Sequence, residues 1–247
     1  NTFSGDLLLF SHGQIRTLVE SGALADVTDQ IDKNLVQQIR PPAVDALRQD
    51  GKLYGIPLYL DVQTWFYNRA LVPDPAGTLD DLRSQARTAA LVTLDGTFER
   101  GFWGIGAFGG RLFNEDGQFV LPVDAQVNWL NWLKESRDRF QIALGIDQDT
   151  LRDAFVAGTN AYYLGMPEEL ATLRRQLGPD RLGVALLPEG PAGPGRPLMW
   201  VTGLLMNGSV EGEQQRLALR FLEYAAGAEA QSRLLASLAL PPANSTV

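Results

Sequence analysis

Short apolar runs alternate with amphipathic stretches along the whole chain, and this alternation constrains the fold more than any other feature. The run from Asp6 to Phe10, after Gly5, reads as a buried parallel strand. His12 to Gly22 follows with Ile15, Leu18 and Val19 on one helical face. Thr64-Trp65-Phe66-Tyr67-Asn68 is a β-branched and aromatic strand. Thr78 with Asp81 three residues on has the form of a helix N-terminus, opening a helix to Ala90. Asn114 to Gly117 reads as a turn, and Asp124 to Phe140 as a helix. Strands at 161–164, 182–187 and 201–206 are spaced by helices at 168–177, 211–226 and 228–238. Pro188 to Pro197, with four Pro and three Gly, reads as an exposed loop. The pattern is that of an α/β fold.

Composition removes several chemistries. The 247 residues include no Cys, so thiol catalysis, thiolate metal sites and disulfides are excluded. A single histidine, His12, rules out a multi-histidine zinc site. A net charge of −8 without a basic run argues against nucleic-acid binding. No apolar run reaches the ~18–20 residues of a membrane span. The segment Gly101 to Gly110 is rich in glycine and aromatics, but it lacks the Gly-Lys-Ser/Thr ending of a phosphate loop.

Several strings in order carry a resemblance. They are Gly5 to His12, Val19 to Thr28, Gly51-Lys52-Leu53-Tyr54-Gly55-Ile56-Pro57, Trp65-Phe66-Tyr67-Asn68-Arg69, Thr78 to Leu82, Phe155 to Tyr163, Gly183 to Gly190, Phe221 to Gly227 and Leu240-Pro241-Pro242-Ala243. Together they resemble the extracellular solute-binding proteins of ABC importers, in particular the maltose-binding-like carbohydrate group. That family carries a further strand and helix ahead of the Asp6 strand, and helices after the Leu240-Pro241 string. The chain is therefore expected to be shortened at both ends.

The resemblance implies a two-lobed α/β fold of the type II periplasmic-binding-protein kind, with a cleft that closes on ligand by hinge motion. Lobe one is expected over 1–60 and 184–235, and lobe two over 61–183 and 236–247. Sugar sites combine aromatic rings stacked on the C–H face of a pyranose with polar groups on its hydroxyls. The residues at the family's cleft positions are His12 and Gln14, Asp61, Phe98, Phe102, Trp103, Glu168 and Trp200. Glycines around Phe102 and Trp103 would let a loop hold a ring flat against the cleft.

Plainer readings stand beside these. His12 and Gln14 could cap the helix that follows them. Asp61 could make an interlobe or structural bond. Part of the Phe98–Trp103 aromatic set must serve the core. Glu168 could simply start a helix, where an acid suits the dipole. Trp65 reads as core, and Trp129 and Trp132 as packed or solvent-facing. Gly13-Gln14 stands where maltodextrin members carry Asp-Arg, and Glu168 where they carry Trp. These departures point to carbohydrate in general rather than to maltodextrin itself.

The expected function is extracytoplasmic binding of a mono- or oligosaccharide by a monomer, for delivery to an ABC permease. Tethering would come from segments outside this chain. The alternative is a binding-protein-like sensory or structural domain fused to a membrane permease or receptor, with ligand binding altered or lost. No cofactor or metal is expected. An enzyme is not expected: there is no Gly-x-Ser-x-Gly elbow, and no carboxylate spacing supports a glycosidase.

Overall fold

The computed structural model describes residues 4–88, 91–114 and 118–247. The expected helix end at Ala90 and turn residue Gly117 lie outside the described residues. Eight described strands have four residues or more: β1 (Leu7–Ser11), β2 (Gly55–Val62), β3 (Thr64–Asn68), β4 (Val92–Asp95), β5 (Ile142–Gly145), β6 (Tyr162–Gly165), β7 (Leu182–Ala185) and β8 (Met199–Met206). Seven described α-helices reach eight residues: α1 (Leu79–Thr88), α2 (Phe98–Ala107), α3 (Val123–Phe140), α4 (Gln148–Val156), α5 (Leu170–Leu177), α6 (Gly212–Ala226) and α7 (Ala228–Leu238). They fall into two compact units, residues 1–62 with 199–247, and residues 63–198.

Unit 1 holds the sheet β1–β8–β2, antiparallel throughout. The expectation of a parallel first strand is thus corrected. The run is apolar, but its partner arrives from the far end of the chain and runs against it, and Leu9 is 56% exposed rather than buried. Ile15, Leu47, Ile56, Val201, Leu205 and Leu222 pack together in the core of this unit. β2 and β8 approach closely at Gly55: a Cβ there would lie 2.0 Å from the Leu204 carbonyl oxygen.

The C-terminal residues belong to this unit, not to the second as expected. The Leu60 N–H donates to Pro241 O at 2.8 Å, adding the tail to the β2 edge. Gln231, fully buried, donates to Pro57 O at 3.1 Å and accepts the Asn244 N–H at 2.7 Å. Asn244 in turn donates to Ala226 O at 3.0 Å. Each link satisfies a buried polar group that would otherwise cost about 1–3 kcal/mol.

Unit 2 holds the antiparallel sheet β6–β3–β7 and the parallel pair β4–β5. Residues 184–198, expected in the first lobe, stay in this unit because β7 pairs with β3. The loop expected over 188–197 contains a small hairpin, Glu189–Gly190 against Gly193–Pro194. Helix α1 starts as its sequence predicts. The Thr78 hydroxyl accepts the Asp81 N–H at 3.1 Å, and the Asp81 carboxylate accepts the Thr78 N–H at 3.0 Å.

Four tryptophans build much of this core. Trp65 lies 6.0 Å from Trp103, Trp103 5.0 Å from Trp129, and Trp129 stacks on Trp132 at 5.1 Å. As far as Ala107 the glycine-rich segment is helix α2, not a loop. Its glycines make room for neighbours: a Cβ at Gly104 would sit 2.2 Å from the Trp129 ring, and one at Gly106 2.5 Å from Arg196.

Candidate functional site

In unit 1 the strand register brings together residues far apart in sequence. Asp61 on β2 lies directly opposite Trp200 on β8, and Tyr59 opposite Thr202. Ser11 on β1 pairs with Thr202 from the other side. Leu60 and Val201, the pair between, are core residues. Side chains alternate along a strand, so Asp61, Trp200, Tyr59 and Thr202 share the opposite face. The Thr202 hydroxyl donates to Asp61 Oδ2 at 3.2 Å. A half-buried indole thus stands beside a carboxylate whose position a hydroxyl helps to fix.

His12 follows β1 directly, and its Nδ1 accepts the Val201 N–H at 3.1 Å. The imidazole acts as one more rung of the β1–β8 ladder, next to Trp200. That bond needs Nδ1 unprotonated, which leaves Nε2–H as the ring's donor. Burial holds the His12 pKa below its ordinary 6.5. A depressed pKa means that stability is full above the unfolded value and is lost as pH falls through the folded one. We expect the chain to lose roughly 2–4 °C of Tm on acidification through this window, the worth of one hydrogen bond of about 1 kcal/mol. His12→Asn, which keeps an acceptor but does not titrate, should lose less over the same range in a thermal melt. Equal losses would refute the role. Gln14 is exposed and makes no side-chain cap bond to the Ile15–Glu20 helix, so the capping reading is not what the structure has.

In unit 2 the expected residues separate. Phe102 and Trp103 are 5% and 2% exposed, packed in the core. Their expected contact with ligand is corrected: on a helix, the face that carries them is the face that packs. Phe98, the first residue of α2, is 58% exposed and meets Phe102 edge-on at 5.9 Å. Glu168 is exposed in the single 3-10 turn Pro167–Glu169, ahead of α5. Its neighbour Glu169 makes the local bonds, accepting the Met166 N–H at 2.7 Å and the Tyr163 hydroxyl at 2.9 Å.

The structure therefore groups Asp61 and Trp200 on one sheet with His12 just past its first strand, and leaves Phe98 exposed at the start of α2 and Glu168 on an exposed turn. Thr202 is a member of the group that the residue pattern did not single out. The period-two spacing Trp200-Val201-Thr202 was the available signal. Among the described residues no cluster of three or more His, Asp or Glu could hold a metal ion. None of the described helices is long and apolar enough to cross a membrane.

The family model for bacterial extracellular solute-binding proteins matches residues 1–247. The maltotriose-binding protein of Pyrococcus abyssi (strain GE5 / Orsay) is 30% identical over 78 residues, 32% of this chain and 17% of that protein. A cyclo/maltodextrin-binding protein solved with maltotetraose is similar at a TM-score of 0.84 and 20% identity, covering 98% of this chain. The chain spans 65% of the length of that protein. The GacH receptor of Streptomyces glaucescens, solved unliganded and with acarbose, gives 0.81 at 22% identity, with 100% of this chain and 67% of that one covered. The Thermus thermophilus maltotriose-binding protein gives 0.74 at 20% identity, with 98% and 68% covered. At these identities the structural likeness is one of fold.

Proposed function

The chain belongs to the family of bacterial extracellular solute-binding proteins, and from that premise we propose that it binds a carbohydrate outside the cytoplasm and hands it to an ABC-type permease. The observation that carries the ligand class is the cross-strand pair of Trp200 and Asp61, with Thr202 bonded to the carboxylate. An indole offers a flat apolar face to the C–H side of a sugar ring. A carboxylate beside it accepts charge-assisted bonds from ring hydroxyls. His12 adds an Nε2–H donor at the same end of the sheet, and Gln14 an amide on the next turn. In unit 2, Phe98 offers an exposed ring and Glu168 an exposed carboxylate to a sugar.

The similar proteins named above for maltotriose, maltodextrin and acarbose make oligosaccharides the first ligands to test. Gly13-Gln14 and Glu168 favour a hydroxyl pattern different from that of maltodextrin. The experiment is a thermal-shift screen of the chain with mono- and oligosaccharides, the malto-series included. A ligand at 100 times its Kd stabilises the native state by about 2.7 kcal/mol, or roughly 5–10 °C in Tm for a chain of this size. At least one sugar should produce a shift of that order. A flat screen would sink the reading.

A further inference from the structure

A series of polar contacts runs in unit 2 from the cap of α2, just before Phe98, to the turn that carries Glu168. At one end, Asp95 Oδ1 accepts the Thr97 N–H at 2.8 Å and the Thr97 hydroxyl at 2.7 Å, fixing the residue that caps α2 just before Phe98. Asp95 is 6% exposed, and its Oδ2 accepts from the side-chain amide of Gln148, the first residue of α4. Gln148 Oε1 meets the Tyr163 hydroxyl at 3.2 Å. Glu169 Oε1 accepts from that hydroxyl at 2.9 Å, and Glu169 Oε2 accepts the Met166 N–H at 2.7 Å. Met166 opens the turn that exposes Glu168.

Tyr163 is the middle of this series. Its ring is 4% exposed and held between Phe66 and Phe155, at centroid distances of 6.3 and 5.8 Å. Gly165 keeps the space open, since a Cβ there would lie 2.5 Å from both Glu169 Oε2 and the Tyr163 ring. Burial, and after it the Glu169 carboxylate, pushes the Tyr163 pKa well above its ordinary 10.0, so the phenol keeps the proton that it donates. The one hydroxyl proton is shared, with Glu169 Oε1 the nearer acceptor and Gln148 Oε1 the farther, so removing the hydroxyl takes the donor from both.

We propose that Tyr163 is a positioning residue that, through Gln148 with Asp95 and through Glu169, makes the placement of Phe98 depend on that of Glu168. The inference rests on the reading that unit 2 meets carbohydrate through those two residues. The hydroxyl touches no ligand itself; it sets how the two contacts are spaced.

The test uses the full chain with Tyr163→Phe and Glu169→Gln, read by amide hydrogen exchange without ligand and by calorimetry with maltotriose or the best sugar of the screen. Tyr163→Phe retains the ring packing and should fold. Both variants should speed exchange at the Thr97 amide by about fivefold, although neither residue touches it. Tyr163→Phe should weaken binding by about fivefold, and should have no further effect when Phe98 and Glu168 are both alanine. A merely structural role would weaken binding equally in both backgrounds, and that result would overturn the proposal. So would unchanged exchange at Thr97 in both variants. If the unaltered chain binds no sugar, the carbohydrate reading falls instead, and exchange at Thr97 still decides whether the two ends of the series are coupled.

Discussion

Trp200→Ala should weaken carbohydrate binding by about 60- to 140-fold. A large side chain taken from water by its partner contributes about 2 kcal/mol, an aromatic contact adds about 0.5–1 kcal/mol, and 1.4 kcal/mol is a factor of ten. Trp200 is half-buried near the start of β8, outside the apolar cluster of unit 1, so its loss should leave that unit folded. Trp200→Phe should recover part of the affinity, because a smaller ring still stacks. Asp61→Asn should cost about tenfold, since it retains the shape but turns charge-assisted bonds into neutral ones. Calorimetric titration gives each constant. The same indole supplies an independent signal: it is the only tryptophan in unit 1. Its emission should change with bound sugar, and the change should vanish in the alanine variant. Binding unaltered by Trp200→Ala would remove the pair with Asp61 as the site.

The elements that local chemistry determines were legible in the sequence, and those that depend on distant partners were not. The Thr78–Asp81 capping box and the strand Thr64–Asn68 need only neighbours to define them. The direction of β1 depends on β8, nearly the whole chain away. The glycines at 101–110 looked like loop residues because nothing local says that Trp129 and Arg196 will press against two of them. Aromatics beside glycine suit a stacking platform and a packed helix equally, and nothing local told buried Phe102 and Trp103 from exposed Phe98. The site shows the same division. Asp61 and Trp200 stood out by type and by resemblance. That they face each other depends on a register which shifts between Thr202 and Gly203, so no spacing in the sequence encodes it. The bond from Thr202 to Asp61 spans 141 positions and follows from that register alone.

Gly55 lies on the same strand pair as Asp61 and Trp200, and Gly55→Ala is expected to be among the most damaging small substitutions in the chain. The added Cβ would lie 2.0 Å from the Leu204 carbonyl oxygen and 2.7 Å from the Leu205 Cα. Both are backbone atoms of the central strand, so no side-chain rotation relieves the clash. The strands must part or slide, and overpacking of this kind costs about 3 kcal/mol, or roughly 6–12 °C in Tm. Gly22→Ala is the matched control: its φ of 70° strains an alanine, but nothing lies within 4 Å of the new Cβ. It should cost only about 1 kcal/mol. Trp200 emission should report the earlier melting. Sugar affinity below the melt should fall too, because β2 carries Asp61 six residues beyond Gly55 and β8 carries its partner Trp200. Gly55→Ala melting within about 1 °C of the parent would mean that the two strands yield at little cost.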